Sequence, residues 1–439
     1  MERISVPFAG DGAGTGGLTW GQQQVWRAMI EVNTSMSMGG VVPVADGRTV
    51  EDFAQELRFF MSRYPAMRTL LRIAPGGATT QEVFAEGEAF LEVHDAPSAE
   101  DAAALAADVH AGWKARNFEY TREWPIRMAV VRAGGAVTHV VVMVCHIAAD
   151  GGGLGIMIRD LAQRDTLGPA SVAGHFEVAE AQRAGGRTTD NAMRYWETQL
   201  RAIEPQRFAG YAEAGGERFR QFLWRSTALF AASERLAALL SIDAGPVLLA
   251  AYGVAFGRVT GRTGPFASQV IVGNRFRPGL AEVVSPLAQN GLVVFDAAGV
   301  SAAEAVARAR QASMSASKYA YYDPDTRLAL IDRIGKERGE PMDLAVFYNE
   351  RRAGLRPPEN PPDEAAIRAA RAATEFVRET PMAFFNEKLM INIDELPDVI
   401  QIAMEVDTAY LPAADARRLL QEMEDFVVEA ALDPQIRTF

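Results

Sequence analysis

Apolar residues recur along this chain with two different spacings, and each spacing predicts a type of secondary structure. Phe53, Leu57 and Phe60 are three or four residues apart, which predicts a helix over residues 50–62. Continuous apolar runs predict strands that are buried on both faces, and the clearest run covers residues 137–145. Because helical and strand patterns alternate through both halves of the chain, we predict an α/β fold with mixed sheets.

The same patterns locate the other elements. Further helices are predicted at 98–115, 191–203, 246–259, 301–317, 326–336 and 413–431. Further strands are predicted at 126–132, 268–272, 292–295, 342–348, 381–385, 388–393 and 400–406. Residues 204–217 are rich in Gly, Pro and charge, which predicts a boundary between an N-terminal lobe, residues 1–205, and a C-terminal lobe, residues 206–439.

The first ordered element is predicted to be a helix that begins after Thr19. Thr19 and Gln22 have the spacing of a capping box, in which each side chain bonds to the backbone of the other. Residues 9–17 are glycine-rich and superficially similar to a phosphate-binding loop. No strand pattern precedes them and no Lys-Ser/Thr pair follows, so we interpret them as a flexible lead-in.

Composition narrows the function classes. A chain of 439 residues is longer than one ordinary core accommodates, which agrees with two lobes. The net charge of −12 disfavours a dedicated nucleic-acid-binding protein, and a single cysteine excludes an internal disulfide. The N-terminus has no signal-peptide pattern, and no uninterrupted apolar run reaches about 18 residues. We therefore expect a cytoplasmic protein with no membrane or nucleic-acid partner.

The segment Cys-His-Ile-Ala-Ala-Asp-Gly, residues 145–151, carries the candidate chemistry. An imidazole titrates near ~6.5, so His146 at the end of a buried strand is a candidate base, although such a histidine is also commonly a satisfied core residue. Cys145 is predicted to point to the opposite face of the strand, which disfavours a Cys/His nucleophile pair and favours a small structural cysteine. Gly151 and the next two glycines favour function, because they leave backbone N–H groups open to a ligand.

A helix is predicted to follow this segment. Its inward positions share a helical spacing and are Leu154, Met157, Ile158 and Leu161, whereas Asp160 is predicted to face water. Asp150 precedes the helix in a turn beneath a buried sheet. A carboxylate in that place should be ionised and paired with an arginine.

Residues 145–151 resemble the HHxxxDG signature of condensation domains from nonribosomal peptide synthesis, with Cys145 in the place of the first histidine. Residues 63–69, RYPAMRT, resemble the family's RHExLRT motif, whose second arginine is Arg68 here. Weaker similarities lie at 19–26, 124–128, 248–252, 273–275 and 285–290. Their order and spacing extend the resemblance from about residue 18 to residue 434.

The resemblance implies two chloramphenicol-acetyltransferase-like lobes in a V-shaped pseudo-dimer with a tunnel at their junction. It implies that Asp150 pairs structurally with Arg68 and that His146 orients or deprotonates the nucleophile. It also implies that the Gly151 N–H group lies near the developing oxyanion, and it implies no metal site. The residues implied to line the tunnel are Gly152, Gln22, Ser285, Gln289 and Asn290.

The implied activity is that of a free-standing condensation enzyme in nonribosomal peptide or related natural-product biosynthesis. Such an enzyme joins an acyl or aminoacyl donor, tethered to an acyl or peptidyl carrier protein, to a small-molecule or tethered amine, with formation of an amide. The carrier protein supplies the phosphopantetheine arm, and no cofactor is expected on the chain itself. Two alternatives stay open: an acyl-CoA-dependent or ester-forming acyltransferase of the same superfamily, and a catalytically silent module that recruits a carrier protein or an oxidase.

Overall fold

The computed structural model describes residues 1–168, 174–208, 210, 216–352 and 360–439. The contacts between these residues divide the chain into two compact units. Unit 1 contains residues 1–186 and 273–289, and unit 2 contains residues 187–272 and 290–439.

Unit 1 consists of two sheets and the helices that pack on them. Its strands are β1 (Glu2–Ala9), β2 (Gly14–Gly17), β3 (Met38–Pro43), β4 (Thr69–Ile73), β5 (Thr79–Val83), β6 (Glu86–Ala96), β7 (Ile126–Ala133) and β8 (Ala136–Val144). Its helices are α1 (Trp20–Glu31), α2 (Val50–Arg63), α3 (Ala99–Lys114), α4 (Gly151–Ala162) and α5 (His175–Ala184). The larger sheet has the order β1-β6-β7-β8-β3, and the smaller sheet has the order β2-β5-β4.

Unit 2 is built around one large mixed sheet. Its strands are β9 (Phe219–Ser226), β10 (Phe266–Val272), β11 (Gln289–Phe295), β12 (Val346–Glu350), β13 (Glu375–Met382), β14 (Leu389–Leu396) and β15 (Val399–Asp407), in the spatial order β11-β10-β12-β14-β15-β9-β13. Its helices are α6 (Gly186–Ala202), α7 (Thr227–Leu240), α8 (Gly245–Thr260), α9 (Ala302–Lys318), α10 (Pro324–Arg338), α11 (Glu364–Ala370) and α12 (Ala413–Leu432). β10, β12 and β14 run parallel, and β14, β15, β9 and β13 pair antiparallel.

The division between the units differs from the boundary predicted at residue 205. Helix α6 belongs to unit 2 because its Trp196 packs edge-on against Tyr322, with ring centroids 5.7 Å apart. The predicted boundary segment, 204–217, includes residues 209 and 211–215, which lie outside the described residues. The segment 273–289 was assigned to the second lobe, but its contacts place it in unit 1.

The N-terminal lead-in is ordered, contrary to the prediction. β1 pairs antiparallel with β6 along its whole length, and β2 pairs with β5. The capping box of α1 is confirmed: the Gln22 N–H group donates to Thr19 Oγ1, and the Thr19 N–H group donates to Gln22 Oε1. The glycine-rich composition of residues 9–17 hid a strand, because pairing with β5 needs only the backbone of those residues.

The predicted inward face of α4 is wrong at two positions. Ile158 is 68% exposed, and Asp160 is buried at 4% exposure. Asp160 is buried because Arg63, Arg159 and the Tyr64 hydroxyl all donate hydrogen bonds to its carboxylate. A buried carboxylate is tolerated when it is paired in this way.

No single helix in the described part of the chain is long and apolar enough to cross a membrane. Helices α7 and α8 are long and apolar enough only when they are taken together, and the chain bends by 113° between them. Most of their apolar side chains are buried in the core of unit 2.

Candidate active site

Strand β8 brings residues 145–151 to the end of the larger sheet of unit 1. Alternate residues enter different cores: Val141, Met143 and Cys145 pack into one cluster, and Val140 and Val144 into another. The side chain of Cys145 is therefore fully buried among apolar groups. Burial raises the pKa of the Cys145 thiol to about 12. The thiol is protonated at neutral pH, so the nucleophilic thiolate is not available there.

His146 lies in a turn immediately after the strand, one residue beyond the predicted strand end. Its backbone N–H group donates to the carbonyl of Ser35 at 3.3 Å, and the Cys145 thiol donates to the same carbonyl at 3.8 Å. Ser35 is itself fixed, because its N–H group donates to Asn117 Oδ1 and its Oγ accepts from the Phe118 N–H group. The turn that carries His146 is therefore held from both the strand and the loop around Ser35.

The imidazole of His146 is held in one tautomer by the backbone. Its Nδ1 is 3.0 Å from the carbonyl oxygen of Ala149, and a carbonyl only accepts hydrogen bonds. In the neutral ring, Nδ1 therefore carries the hydrogen and Nε2 carries the basic lone pair. Within the described part of the chain nothing hydrogen-bonds Nε2, and the side chain is half-buried. This geometry suits a general base.

Asp150 organises the start of α4. Its carboxylate accepts hydrogen bonds from the N–H groups of Gly153, Leu287 and Ala288 at 2.8, 2.9 and 3.1 Å. Arg275 forms a bidentate ion pair with it, at 2.7 and 2.9 Å. Burial alone raises the pKa of Asp150, but Arg275 and the backbone N–H groups outweigh burial and hold the pKa below its ordinary value. Asp150 is thus an ionised, fully bonded carboxylate.

The expected partner of Asp150 was Arg68, and this expectation is wrong. Arg68 donates to the carbonyl oxygens of Phe84 and Asp11, and Arg275 holds Asp150 instead. The physical reason is that Arg68 ends the 3₁₀ turn before β4, where its guanidinium bonds to the carbonyls of Phe84 and Asp11. Arg275 was missed because the sequence placed residues 273–275 in the second lobe. The sequence did indicate that Asp150 is a buried acid that needs an arginine as its partner.

Arg275 also fixes the segment that follows it. Its Nη2 donates to the carbonyls of Val283 and Ser285 at 3.1 and 3.0 Å. Gly152 of α4 lies against the guanidinium, because a Cβ atom at position 152 would be 2.6 Å from Arg275 Nη1. The ion pair thus joins β8, α4 and residues 283–288 within unit 1.

The first turn of α4 presents backbone donors. Asp150 is the N-cap and bonds the N–H group of Gly153, whereas no described group bonds the N–H groups of Gly151 and Gly152. Gly151 is exposed, and a Cβ atom there would meet nothing within 4 Å. Unbonded N–H groups at a helix start attract negative charge. Gly151 therefore has the geometry expected of an oxyanion donor.

The other residues predicted to line a tunnel are buried in their units. Gln22 caps α1, and its Nε2 donates to Gln81 Oε1 and to the carbonyl of Ile147, so it supports the turn after His146. Ser285 is fully buried, and its carbonyl accepts from Arg275. Gln289 is fully buried at the start of β11. In unit 2, Asn290 donates to Gln269 Oε1 at 3.0 Å.

Among the described residues, no cluster of three or more His, Cys, Asp or Glu side chains is placed to hold a metal ion.

Comparisons with known proteins bear on the fold and the family. The condensation-domain family model matches residues 18–325. The condensation domain from the monacolin K polyketide synthase MokA is similar, with a TM-score of 0.76 and 14% identity, and the match covers 98% of this chain and 100% of that chain. A search of curated proteins found no match.

Two further solved structures share the fold. SgcC5 from Streptomyces globisporus has a TM-score of 0.69 at 17% identity, over 96% of this chain and 100% of that chain. The X-domain from teicoplanin biosynthesis, in its complex with OxyB, has a TM-score of 0.69 at 18% identity, over 100% of this chain and 98% of that chain. At these identities the structures show the fold alone, and the family model shows the family. The chain belongs to the condensation-domain family.

Proposed function

We propose that this protein is a condensation enzyme that joins a carrier-tethered acyl or aminoacyl group to an amine. The observation that carries the proposal is the His146 imidazole, whose Nδ1 is bonded to Ala149 and whose Nε2 has no partner in the described part of the chain. Membership of the condensation-domain family supports a carrier protein as the donor's partner, with the phosphopantetheine arm as its tether.

The proposed reaction forms a C–N bond and breaks a C–S bond. The amine nitrogen attacks the thioester carbonyl carbon while Nε2 of His146 orients the amine or takes its proton. The carbonyl oxygen gains negative charge, which the Gly151 N–H group stabilises. Collapse of the intermediate expels the phosphopantetheine thiolate, which receives the proton. Asp150 holds the site in shape through Arg275 and carries no proton.

The test is amide formation by wild type and His146→Ala with acyl-loaded carrier protein and a panel of amines, read by mass spectrometry. We expect His146→Ala to lower the rate by ~10²–10⁴-fold, the usual contribution of a general base. His139→Ala is the matched control, because His139 lies on β8 in the same unit. Equal rates for wild type and His146→Ala would rule out the role of His146. Parallel reactions with acyl-CoA and with alcohols test the acyl-CoA-dependent and ester-forming alternatives.

A second candidate is recruitment of a partner without condensation. The specific observations in its favour are Cys145 in the place of the first motif histidine and the structural similarity to the X-domain that was solved in complex with OxyB. Stable binding of carrier protein, with no product from any donor and amine pair in the panel, would favour this candidate over the first.

A further inference from the structure

Unit 1 contains a cavity that the proposed reaction does not use. The cavity has a volume of about 1060 Å³ and lies among the end of β1, α2, α4, α5 and residues 282–284. None of residues 145–151 lines it. Its wall combines aromatic rings, including Phe59 and Phe176, with charged side chains.

Two of the four arginines in this wall already have carboxylate partners. Arg63 pairs with Asp160, and Arg159 pairs with both Asp160 and Glu282. These pairs leave no charge in need of a ligand.

Arg58 is exposed and donates to the Pro7 carbonyl. Arg68 is the buried arginine of the wall for which the described residues supply no carboxylate partner. It is 1% exposed, and its guanidinium donates only to the carbonyls of Phe84 and Asp11. Its Nε is buried without a partner, and no carboxylate of the described chain forms an ion pair with it. Burial lowers the pKa of Arg68 even though the Asp11 carboxylate opposes that effect from a distance. A buried cation without a counter-ion is unfavourable unless something supplies negative charge.

His175 offers a second polar group without a partner in the same wall. The side chain is 2% exposed, and its Nε2 is buried without a hydrogen-bond partner. Its ring packs against Phe176, with centroids 4.7 Å apart. Burial, together with the positive charge of Arg68, lowers the pKa of His175 to about 4. A neutral histidine beside a cation is well placed to share an anion with that cation.

We propose that this cavity binds a small organic carboxylate, with the carboxylate at Arg68 and His175 and an apolar body against Phe59 and Phe176. The carboxylate supplies the counter-charge that Arg68 lacks and an acceptor for His175 Nε2. The aromatic part of the wall and a volume at the upper end of the range for small-molecule sites favour an anion with a carbon body over a bare inorganic ion.

The proposal is tested by calorimetric titration of the full chain with hexanoate, with hexanol as the uncharged counterpart and inorganic phosphate as the anion without an apolar body. We expect saturable binding of hexanoate, and weaker binding of both comparison compounds. Arg68→Met should lower the hexanoate affinity about tenfold or more, since it removes a charge-assisted hydrogen bond. The matched control Arg122→Met changes an exposed arginine of unit 1 and should leave the affinity unchanged.

Because Arg68 also holds two backbone carbonyls, a second variant and a second readout keep the test decisive. His175→Gln should weaken hexanoate binding without removing the charge. The chain has only five histidines, so the imidazole NMR signal of His175 can be assigned from this variant. Hexanoate should raise the pKa of His175 and leave the other four signals unmoved.

An absence of saturable binding, equal binding of hexanol or phosphate, or an unmoved His175 signal would each overturn the proposal. None of these measurements requires carrier protein or turnover, so their failure is separate from failure of the condensation proposal.

Discussion

Gly151 allows the proposed oxyanion contact to be removed as a single N–H group. It is the first residue of α4, where proline is well accepted because its fixed φ suits the helix start. The preceding Asp150 has φ −102° and ψ −179°, an extended conformation that tolerates a following proline. We expect Gly151→Pro to lower the turnover number by ~10²–10³-fold, the usual cost of one oxyanion donor, with the fold retained.

Gly151→Ala is the matched control for this prediction. It adds a Cβ atom into open space and keeps the N–H group, so it should keep most of the activity. Turnover of acyl-loaded carrier and circular dichroism of both variants provide the measurement. Full activity of a folded Gly151→Pro protein would show that this N–H group does not contact the developing charge.

The assignment of Arg275 as the partner of Asp150 is testable with a double-mutant cycle. Removing one side of a buried ion pair costs ~3–5 kcal/mol, so Asp150→Asn and Arg275→Gln should each be strongly destabilising at pH 7. Asparagine keeps the N-cap bond to Gly153 through its one oxygen, but its NH₂ group replaces the oxygen that accepts from Leu287 and Ala288, so these bonds are lost together with the charge. Urea unfolding of the double variant should show a smaller loss than the sum of the two single losses.

Arg68→Gln supplies the comparison for that cycle. It shares no bond with Asp150, so its effect should add to that of Asp150→Asn within ~0.5 kcal/mol. Coupling of Asp150 to Arg68 in place of Arg275 would contradict the structure.

Helix α4 depends on close approach between its first turn and Arg275. A Cβ atom at residue 152 would be 2.6 Å from the guanidinium, and that guanidinium is held by Asp150, Val283 and Ser285. Because the arginine cannot move without breaking these bonds, we expect Gly152→Ala to destabilise the protein by ~1–3 kcal/mol.

The control for Gly152→Ala lies on the same helix. Gly155 is exposed, and a Cβ atom there would meet nothing within 4 Å. Gly155→Ala should therefore stabilise the protein by ~0.5–1 kcal/mol through helix propensity. Urea unfolding measures whether Gly152→Ala lowers, and Gly155→Ala raises, the free energy of unfolding. A stable Gly152→Ala protein would mean that Arg275 has room to shift.

At the scale of elements, the sequence predicted those helices and strands whose own pattern determines them. Helix α2 follows from its apolar spacing, and β8 follows from its apolar run. β1 and β2 were missed because their strand pairing with β6 and β5 comes from the backbone of distant residues. The burial of Asp160 was missed for a similar reason, since two of its partners come from α2 and the residue after it.

The same limit applies to the candidate site. The sequence located His146, Asp150 and Gly151 because they are neighbours along the chain. The need of Asp150 for an arginine also followed from local chemistry. Which arginine satisfies it is decided by where residue 275 lies in unit 1, more than a hundred positions away, and no local pattern carries that information.

At the scale of the whole molecule, the histidines are confined to one unit. His94, His110, His139, His146 and His175 all belong to unit 1, and unit 2 contains no histidine. Any loss of stability from histidine protonation therefore originates in unit 1. His175 should dominate it, because burial and the charge of Arg68 lower its pKa to about 4.

The sign of this effect follows from proton binding in the two states. An unfolded histidine has a pKa near ~6.5, so between about pH 6.5 and pH 4 the unfolded chain binds a proton that the folded chain does not. Stability is therefore fully present above about pH 6.5 and falls as the pH is lowered. Between pH 7 and pH 5 the loss from His175 should be about 2 kcal/mol.

His175→Gln should flatten the dependence of the unfolding free energy on pH in this window, because it removes the group that the unfolded chain protonates. His110→Gln is the control, since it removes a histidine of the same unit on the partly exposed surface of α3 and should leave the slope unchanged. Urea unfolding at pH 7, 6 and 5 measures all three slopes. If wild type and His175→Gln lost stability equally over this range, burial and the charge of Arg68 would not lower the pKa of His175 in the folded chain.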